Sequence, residues 1–299
     1  MIEQASHAGN APLQRDDDFV KRPRRIPRFF RDPKAAVSGV LLVCFVLVAV
    51  ASPLVAPYGE NKQNLADSHQ EPSLKHLLGT DRIGRDVFSR MIYGTRTSIS
   101  VGLIAVAVAS AIGVPLGLIA GYSGRWTDEI LMRIVDAWFA FPGLILLLAI
   151  VAILGPGVKN VMLAIGLGSF PIIARLVRGQ TLAVKERDFV LAARASGAGS
   201  LRIMRSHLLP NTVQPVIVQA SLLVGFAVLT EAGLSFLGVG IRPPAATWGI
   251  VIQEGFPDIR SNVWASIGPG VAITTFVLAV NLLGDRLRDV LDPHLRGTR

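Results

Sequence analysis

The sequence predicts an all-α membrane protein with six transmembrane helices. Of its 299 residues, 51% are hydrophobic and only 17% are charged, whereas a soluble domain carries about 25% charged residues. The mean hydropathy is +0.49. Runs without a charged residue recur along the chain, and several reach the length of about 20 residues that a helix needs to cross about 30 Å of hydrocarbon.

Five charge-free runs are long enough to span a membrane, and a sixth is shorter. The short run, 160–174, lies between Lys159 and Arg175. It reaches spanning length if the helix continues to Val177, with Arg175 and Arg178 extended to the interface. The five long runs are 35–56, 98–122, 137–158, 211–230 and 261–284.

The first run follows a polar, basic leader. Residues 49–51 form an A-x-A cleavage pattern, but the leader and the apolar core are both longer than those of a signal peptide, which favours an uncleaved signal anchor. Arg24, Arg25 and Arg28 lie just before this span, and we expect them to contact anionic lipid head groups.

The distribution of lysine and arginine predicts that both termini are cytoplasmic, because these residues concentrate in cytoplasmic segments. In this orientation 21 of the 30 lysines and arginines lie inside. The net charge of +9 is therefore interpreted as a topology signal and an attraction to lipid rather than to nucleic acid. The predicted organisation is a leader at 1–34, a transmembrane domain at 35–284 with external segments at 57–97 and 236–264 and a cytoplasmic loop at 183–212, and a cytoplasmic tail at 285–299.

Small residues and prolines recur within the predicted spans. Gly113, Gly117 and Gly121 recur every four positions, so the stripe lets another helix approach closely. Prolines inside membrane helices are tolerated because neighbouring helices satisfy the freed carbonyl groups, and the resulting kinks suit a protein that opens and closes. The prolines lie at Pro115, Pro142, Pro171, Pro215 and Pro269.

The sequence contains no catalytic or metal-binding motif. It lacks the G-x-x-x-x-G-K-[ST] loop that holds ATP phosphates, the H-E-x-x-H zinc motif and any Cys/His cluster. The spans lack the chains of ionisable residues that proton-coupled carriers use, so transport needs an energy source outside this chain. Five histidines in the polar segments are interpreted as solvated or capping residues: His7, His69, His76, His207 and His294.

Two acidic residues, Asp136 and Glu231, lie at the ends of spans. Glu231 follows the run 211–230, the fifth predicted span, and is placed to be buried in the bundle near its outer mouth. Two interpretations remain open for this residue. It either makes structural hydrogen bonds or acts directly in a gate or in the transport pathway.

The loop at 183–212 predicts two short amphipathic helices. Asp188 is expected to cap the first helix and Gly197 to end it in the left-handed conformation. Ser200 is expected to cap the second, and Pro210 to stop it before the fifth span. Such a pair is either a docking element for a soluble partner or an interfacial pair lying on the bilayer. Phe189, Ala192, Ala193 and Ser196 share a face of the first helix, and Leu201, Met204 and Leu208 share a face of the second.

This loop resembles the "EAA" loop of ABC importer permeases, in which Glu-Ala-Ala is followed by a glycine and then by Ile-x-Leu-Pro at fixed spacing. Leu191 replaces the glutamate and His207 replaces the isoleucine, so no salt bridge is assigned to the glutamate position. The overall form is similar to that of the dipeptide/oligopeptide/nickel branch. The matching residues are Ala192, Ala193, Gly197, Leu209 and Pro210.

Three further stretches resemble the second, C-type permease subunit of that branch. Together with the loop, these matches extend over most of the chain outside the leader, from residue 76 to residue 293, and occur in the family's order. The stretches are 76–90, 231–244 and 284–293.

The resemblance implies a MetI-like ABC importer permease fold. It further implies a non-catalytic subunit that lies in a bacterial inner membrane and forms half of a translocation pathway for di- or oligopeptides or similar small solutes. The implied partners are a second homologous permease, two ABC ATPase subunits that bind the ATP, and a periplasmic or lipoprotein substrate-binding protein. No cofactor is expected on this chain. The implied coupling residues are Asp188, Ala192, Ala193, Gly197, His207, Leu209 and Pro210.

Apolar residues with charges between them at 77–96 predict an interfacial helix that feeds into the second span. The alternative function is a standalone carrier or channel for a small polar solute, which would need an intramembrane ionisable pair or an inverted repeat.

Overall fold

A computed structural model describes residues 33–291, so most of the predicted leader and the last eight residues of the predicted tail lie outside the described residues. Within the described part the regular structure is helical, apart from one isolated bridge between Thr80 and Asp86. In chain order the helices are α1 (Pro33–Val50), α2 (Val87–Ser123), α3 (Arg125–Phe139), α4 (Gly143–Leu154), α5 (Val158–Val184), α6 (Asp188–Ala195), α7 (Ser200–Phe236), α8 (Trp248–Gly255) and α9 (Trp264–Leu291).

The helices run between two ends of the molecule. We call one end the head, formed by residues 56–86 and 237–263, and the other the base, formed by residues 121–128 and 185–208. Helices α2, α5 and α9 run from head to base, while α1 and α7 run from base to head. Each of these five is long and apolar enough to cross a membrane, and both ends of the described chain lie on the side of the base.

Helices α2 and α5 run parallel and pack closely along the predicted glycine stripe. A Cβ atom built on Gly117 would lie 2.5 Å from the carbonyl oxygen of Ala174, and one on Gly113 would lie 2.7 Å from that of Phe170. A Cβ atom on Gly121 would also lie too close to α5, at 2.6 Å from the Cβ of Thr181. The predicted close approach is confirmed. The helix that packs on the glycine stripe is α5, the span with the shortest apolar run, and this helix continues to Val184.

The third span is broken, and its prediction as one helix over 137–158 is wrong. Helices α3 and α4 meet at 91°, and the chain leaves the helical conformation at residues 140–142. Pro142 cannot donate the backbone hydrogen bond that would continue α3, and it stands immediately before α4.

Contacts with α5 show that α3 and α4 together cross from base to head. In α3, Asp128 binds Arg178 near the base end of α5, at 2.7 Å. In α4, the Leu154 carbonyl accepts a hydrogen bond of 2.6 Å from Asn160, near the head end of α5. The pair follows α5 along its length and completes the six predicted crossings.

Two predicted boundaries also differ from the structure. Residues 77–86 form a compact irregular loop rather than an interfacial helix, and helix formation begins only at Val87, where the Asp86 carboxylate accepts the backbone N–H of Ser89 at 2.7 Å. Residues 87–96 are the first turns of the second span itself. At the other end, α9 continues to Leu291, beyond the boundary placed after residue 284.

The α2–α5 contact provides a stability test. We expect Gly117→Ala to destabilise the protein by about 1–3 kcal/mol because the new methyl group has no space. Gly179→Ala, in α5, is the matched control, since a Cβ there meets no atom within 4 Å. Thermal unfolding of both variants in nanodiscs measures the difference, and equal midpoints would contradict the close approach.

Candidate functional site

Helix α6 ends in the conformation expected from Gly197, which has a φ of +80°. The backbone N–H of Ala198 donates to the carbonyl of Ala193, and that of Gly197 donates to the carbonyl of Arg194, both at 3.0 Å. These two bonds form a Schellman motif, which satisfies carbonyl groups at the end of the helix. The prediction that Gly197 ends the helix is confirmed.

The other local predictions for this loop are wrong. Asp188 is the first residue of α6 and makes no side-chain cap. Ser200 begins α7 without capping it, because Gly199 occupies the capping position. Pro210 does not stop the helix either. Residues Met204–Leu208 form one π-helical turn, whose wider backbone accommodates a proline with no N–H just beyond it, and α7 continues through Pro210 into the membrane-spanning part.

The base combines a buried anchor with an exposed apolar surface. Val190, Ile203 and Leu208 are at most 1% exposed and belong to the main hydrophobic core. The opposite surface carries large apolar side chains that nothing in the described chain covers, notably Leu201, which is 74% exposed. Ala192, Ser196 and Gly197 are also exposed, Ala193 and His207 are partly exposed, and Phe189 and Leu191 are exposed beside them.

Two contacts join the base to the end of α2, one from the end of α5 and one from α6. The Lys185 ammonium donates to the carbonyl of Gly121 at 3.0 Å, and the Arg194 guanidinium lies 5.8 Å from the centre of the Tyr122 ring. The base is therefore in direct contact with the end of α2.

Glu231 is fully buried where α7, α2 and the head meet. Its carboxyl group accepts hydrogen bonds from the Ser235 hydroxyl at 2.8 Å and the Ser98 hydroxyl at 3.4 Å, and Thr247 also hydrogen-bonds it. The two serine hydroxyls in turn accept backbone N–H groups of the head, from Trp248 at 3.1 Å and Ile241 at 3.2 Å. No basic side chain is paired with Glu231 among the ion pairs of residues 33–291.

The head is held together by a buried ionic cluster centred on Glu254. One carboxylate oxygen accepts from Arg85 at 2.8 Å and the other from Arg90 at 2.9 Å. Arg85 also binds Asp81, and Arg90, 1% exposed, donates to the side chain of Asn61 at 3.0 Å. The cluster joins the segment before α2 to α8, which lie far apart in the sequence.

A second buried pair supports the same segment. The His76 Nδ1 atom lies 2.8 Å from Asp86, and the His76 ring stacks on Tyr58 with the ring centres 5.0 Å apart. The interpretation of His76 as a solvated or capping residue is therefore wrong, because the residue is only 3% exposed.

Two ionisable groups of the head have displaced pKa values. Burial alone would lower the pKa of Arg85, but the hydrogen bonds and charges of Glu254 and Asp81 outweigh it, so the pKa lies above its ordinary value. The hydrogen bond from Lys75 lowers the pKa of the Asp67 carboxyl on the exposed surface. These charges therefore persist at neutral pH.

The ionic cluster was missed by sequence reasoning, although part of the signal was visible. The motif at 76–90 contains His76, Arg85, Asp86 and Arg90, and charged residues in a fixed pattern beside an apolar span indicate buried pairs. Glu254 carried no such signal, since its approach to Arg85 depends on how α8 packs.

Within residues 33–291, no group of three or more His, Cys, Asp or Glu side chains could hold a metal ion. A cavity of about 20 Å³ lies beside Arg90, Asn262 and Glu254, which is room for about one water molecule.

The chain matches two known protein families. Residues 113–297 match the family described as the inner membrane component of binding-protein-dependent transport systems. Residues 24–72 match the N-terminal transmembrane domain of oligopeptide transport permease C. The two matches together include both α1 and the loop at the base.

Individual relatives agree with this assignment. The dipeptide transport system permease protein DppC of Alkalihalophilus pseudofirmus is 41% identical over 96% of this chain and 95% of its own. The glutathione transport system permease protein GsiD of Pectobacterium atrosepticum is 43% identical over 94% of both chains. Among solved structures, a chain of the MetNI methionine ABC transporter in an inward-facing conformation matches with a TM-score of 0.56 and 21% identity, covering 68% of this chain and 96% of that one.

The Glu254 cluster yields a second stability test. We expect Glu254→Ala to lower the free energy of unfolding by about 3 kcal/mol, because it leaves the buried Arg90 without its counter-charge. Glu71→Ala is the control, since Glu71 is an exposed acidic residue of the same head. Thermal unfolding in nanodiscs compares the two, and an equal effect would show that Glu254 contributes no more than a surface charge.

Proposed function

The chain belongs to the family of binding-protein-dependent transport system inner membrane components and is a membrane-spanning permease subunit of an ABC importer, and we propose that it carries small peptides. The relatives named for dipeptide and glutathione transport support this substrate class, since glutathione is itself a small peptide. The chain forms part of the translocation pathway, and the energy for transport comes from ATP bound by separate ATPase subunits.

The base is proposed to face the cytoplasm and the head the outside of a bacterial inner membrane. The excess of lysine and arginine in the predicted inside segments supports this orientation. Both ends of the described chain lie on the side of the base, which agrees with two cytoplasmic termini.

The base is the proposed docking site for one ATPase subunit, and its exposed apolar surface is the observation that carries the proposal. Helix α6 and the first turns of α7 present Phe189, Leu191 and Leu201 away from the protein, as a helix-in-groove contact requires. Gly197 sets the angle between the two helices. Ala192, Ala193 and Asp188 lie on or beside this surface. Leu209 packs against the core, with His207 partly exposed and Pro210 exposed next to it.

The head is the proposed docking site for a substrate-binding protein. Its two segments form one platform because the Glu254 cluster and the Arg82–Asp258 pair, at 3.1 Å, connect them. A second, homologous permease would complete the pathway, and lipid would cover the remaining apolar faces, including that of α1.

Glu231 is proposed to be structural rather than a gate. It is 0% exposed, and it accepts hydroxyl groups that themselves hold backbone groups of the head. A residue in this position ties α2, α7 and the head together whatever solute passes.

The role of Glu231 is tested with a pair of variants. We expect Glu231→Gln, which keeps the size and an acceptor oxygen, to retain uptake and thermal stability. Glu231→Leu should lower the free energy of unfolding by about 1–3 kcal/mol because buried hydroxyl groups lose their acceptor. A stable Gln variant without uptake would instead indicate that the charge itself acts in gating.

The coupling role of the base is tested in cells in which a variant replaces the native chain. We expect Gly197→Trp to abolish uptake of a radiolabelled dipeptide while the protein still accumulates in the membrane, because the bulky side chain projects from the docking surface and strains the left-handed turn. Gly39→Trp, on α1, is the control, since a Cβ at Gly39 meets no atom within 4 Å. Normal uptake by the Gly197 variant, or uptake by the purified chain alone in liposomes, would contradict the proposal and favour a standalone carrier.

A further inference from the structure

We propose that the break between α3 and α4 lines the transport pathway and offers paired charges to the charged termini of a passing peptide. We call this place the elbow, formed by Asp136, Phe139, the turn at residues 140–142, and Arg175 of α5. This inference rests on the proposed function, because it specifies which groups of a peptide meet the permease.

The elbow holds a charged pair in a defined geometry. The Arg175 guanidinium donates to the Asp136 carboxylate at 2.6 Å and lies 4.1 Å from the centre of the Phe139 ring. Val135, which is 1% exposed, and Trp138, stacked edge-on against Phe170, fix this part of α3 to α5. The pair is therefore held in place by its surroundings rather than free on a mobile surface.

The pair lies deeper in the membrane than the charges of the base. Ala174, the residue before Arg175, packs against Gly117 of α2. Gly117 is five residues from the end of the charge-free run at Tyr122, a distance of about 8 Å along a helix. Arg175 is expected from the sequence to extend to the interface, but it instead binds Asp136, which lies further from the base along α3 than Asp128.

Charged side chains that are exposed on this chain at membrane depth are poorly suited to contact with lipid. The side chains of Arg175 and Asp136 are 49% and 56% exposed, and residues 140–142 beside them are exposed as well. Ionisable groups at membrane depth face water or protein, and backbone outside a helix at that depth is tolerated only where it is buried in protein or lines a water-filled cavity.

A water-filled pathway fits better than a sealed contact with the second permease. Sealing the pair would remove both charges from water, and the cost of desolvation commonly exceeds the attraction between them. A water-filled pathway leaves both charged side chains hydrated. A zwitterionic peptide carries an ammonium group and a carboxylate, which match Asp136 and Arg175, and broken helices recur where transporters bind substrates near the membrane midplane.

The first experiment measures access of water to the elbow. Cys44 is the only cysteine of the chain and lies exposed on α1, so the wild type serves as a lipid-facing control. Ala140→Cys is introduced together with Cys44→Ser, and the complete transporter is treated in membranes with a charged methanethiosulfonate reagent.

We expect Ala140→Cys to react at least about tenfold faster than Cys44, and its rate to change when a non-hydrolysable ATP analogue is added. Equal, slow reaction at both positions in both nucleotide states would overturn the proposal, because the elbow would then be covered by lipid or by the partner permease.

The second experiment measures recognition of charge. With binding protein in excess, we expect Arg175→Gln to reduce uptake of a dipeptide with a free carboxylate about tenfold, as the loss of one charge-assisted hydrogen bond implies, and to leave uptake of its C-terminal amide unchanged. Arg133→Gln on the exposed face of α3, 79% exposed, is the control.

The outcomes separate this inference from the proposed function. An equal loss for both peptides would show that Arg175 only supports the fold, which overturns the elbow as a charge-recognition site. Absence of uptake of either peptide by the wild-type transporter would contradict the proposed substrate class, while the cysteine result would still decide whether the elbow faces water.

Discussion

Helices α2 and α5 approach so closely that three glycines of α2 have no room for a side chain, and much of the remaining structure depends on this contact. Because the two helices are parallel, the chain must return from base to head between them, and the broken pair α3 and α4 performs this return. The same contact places the end of α5 beside Gly121, so α6 has a fixed position at the base. In a lipid environment such packing replaces the hydrophobic effect as the source of helix association.

Polar groups away from water are satisfied in a different way at each level of the molecule. In the head, Glu254 neutralises Arg85 and Arg90 within a compact platform. At the boundary of the bundle, Glu231 relies on hydroxyl groups rather than on a counter-charge. At the elbow, the Arg175–Asp136 pair remains half exposed. Glu231 is fully buried and Glu254 is 21% exposed, whereas the elbow pair is about half exposed, which is why the elbow rather than Glu231 is the better candidate for contact with a solute.

The fold connects these places mechanically. The end of α2 is contacted by Lys185, just after α5, and by Arg194 of α6. Helix α2 also carries Arg90 into the head and packs against α5 above and below the elbow. One continuous helix, Val87–Ser123, therefore connects the base to the head. This arrangement suits a permease subunit that is driven from one side of a membrane and receives its solute from the other.

The sequence by itself determined the class of protein, the number of crossings, the glycine contact and the turn at Gly197, because apolar run length, residue size and the left-handed preference of glycine are local properties. Local signals failed where neighbours decide the outcome. Pro142 breaks a run that is long enough to span, whereas Pro210 lies within a continuous helix that widens to admit it. Only the tertiary structure brought Glu254 to Arg85 and Asp136 to Arg175, since a charge finds its partner through the packing of helices that are distant in sequence.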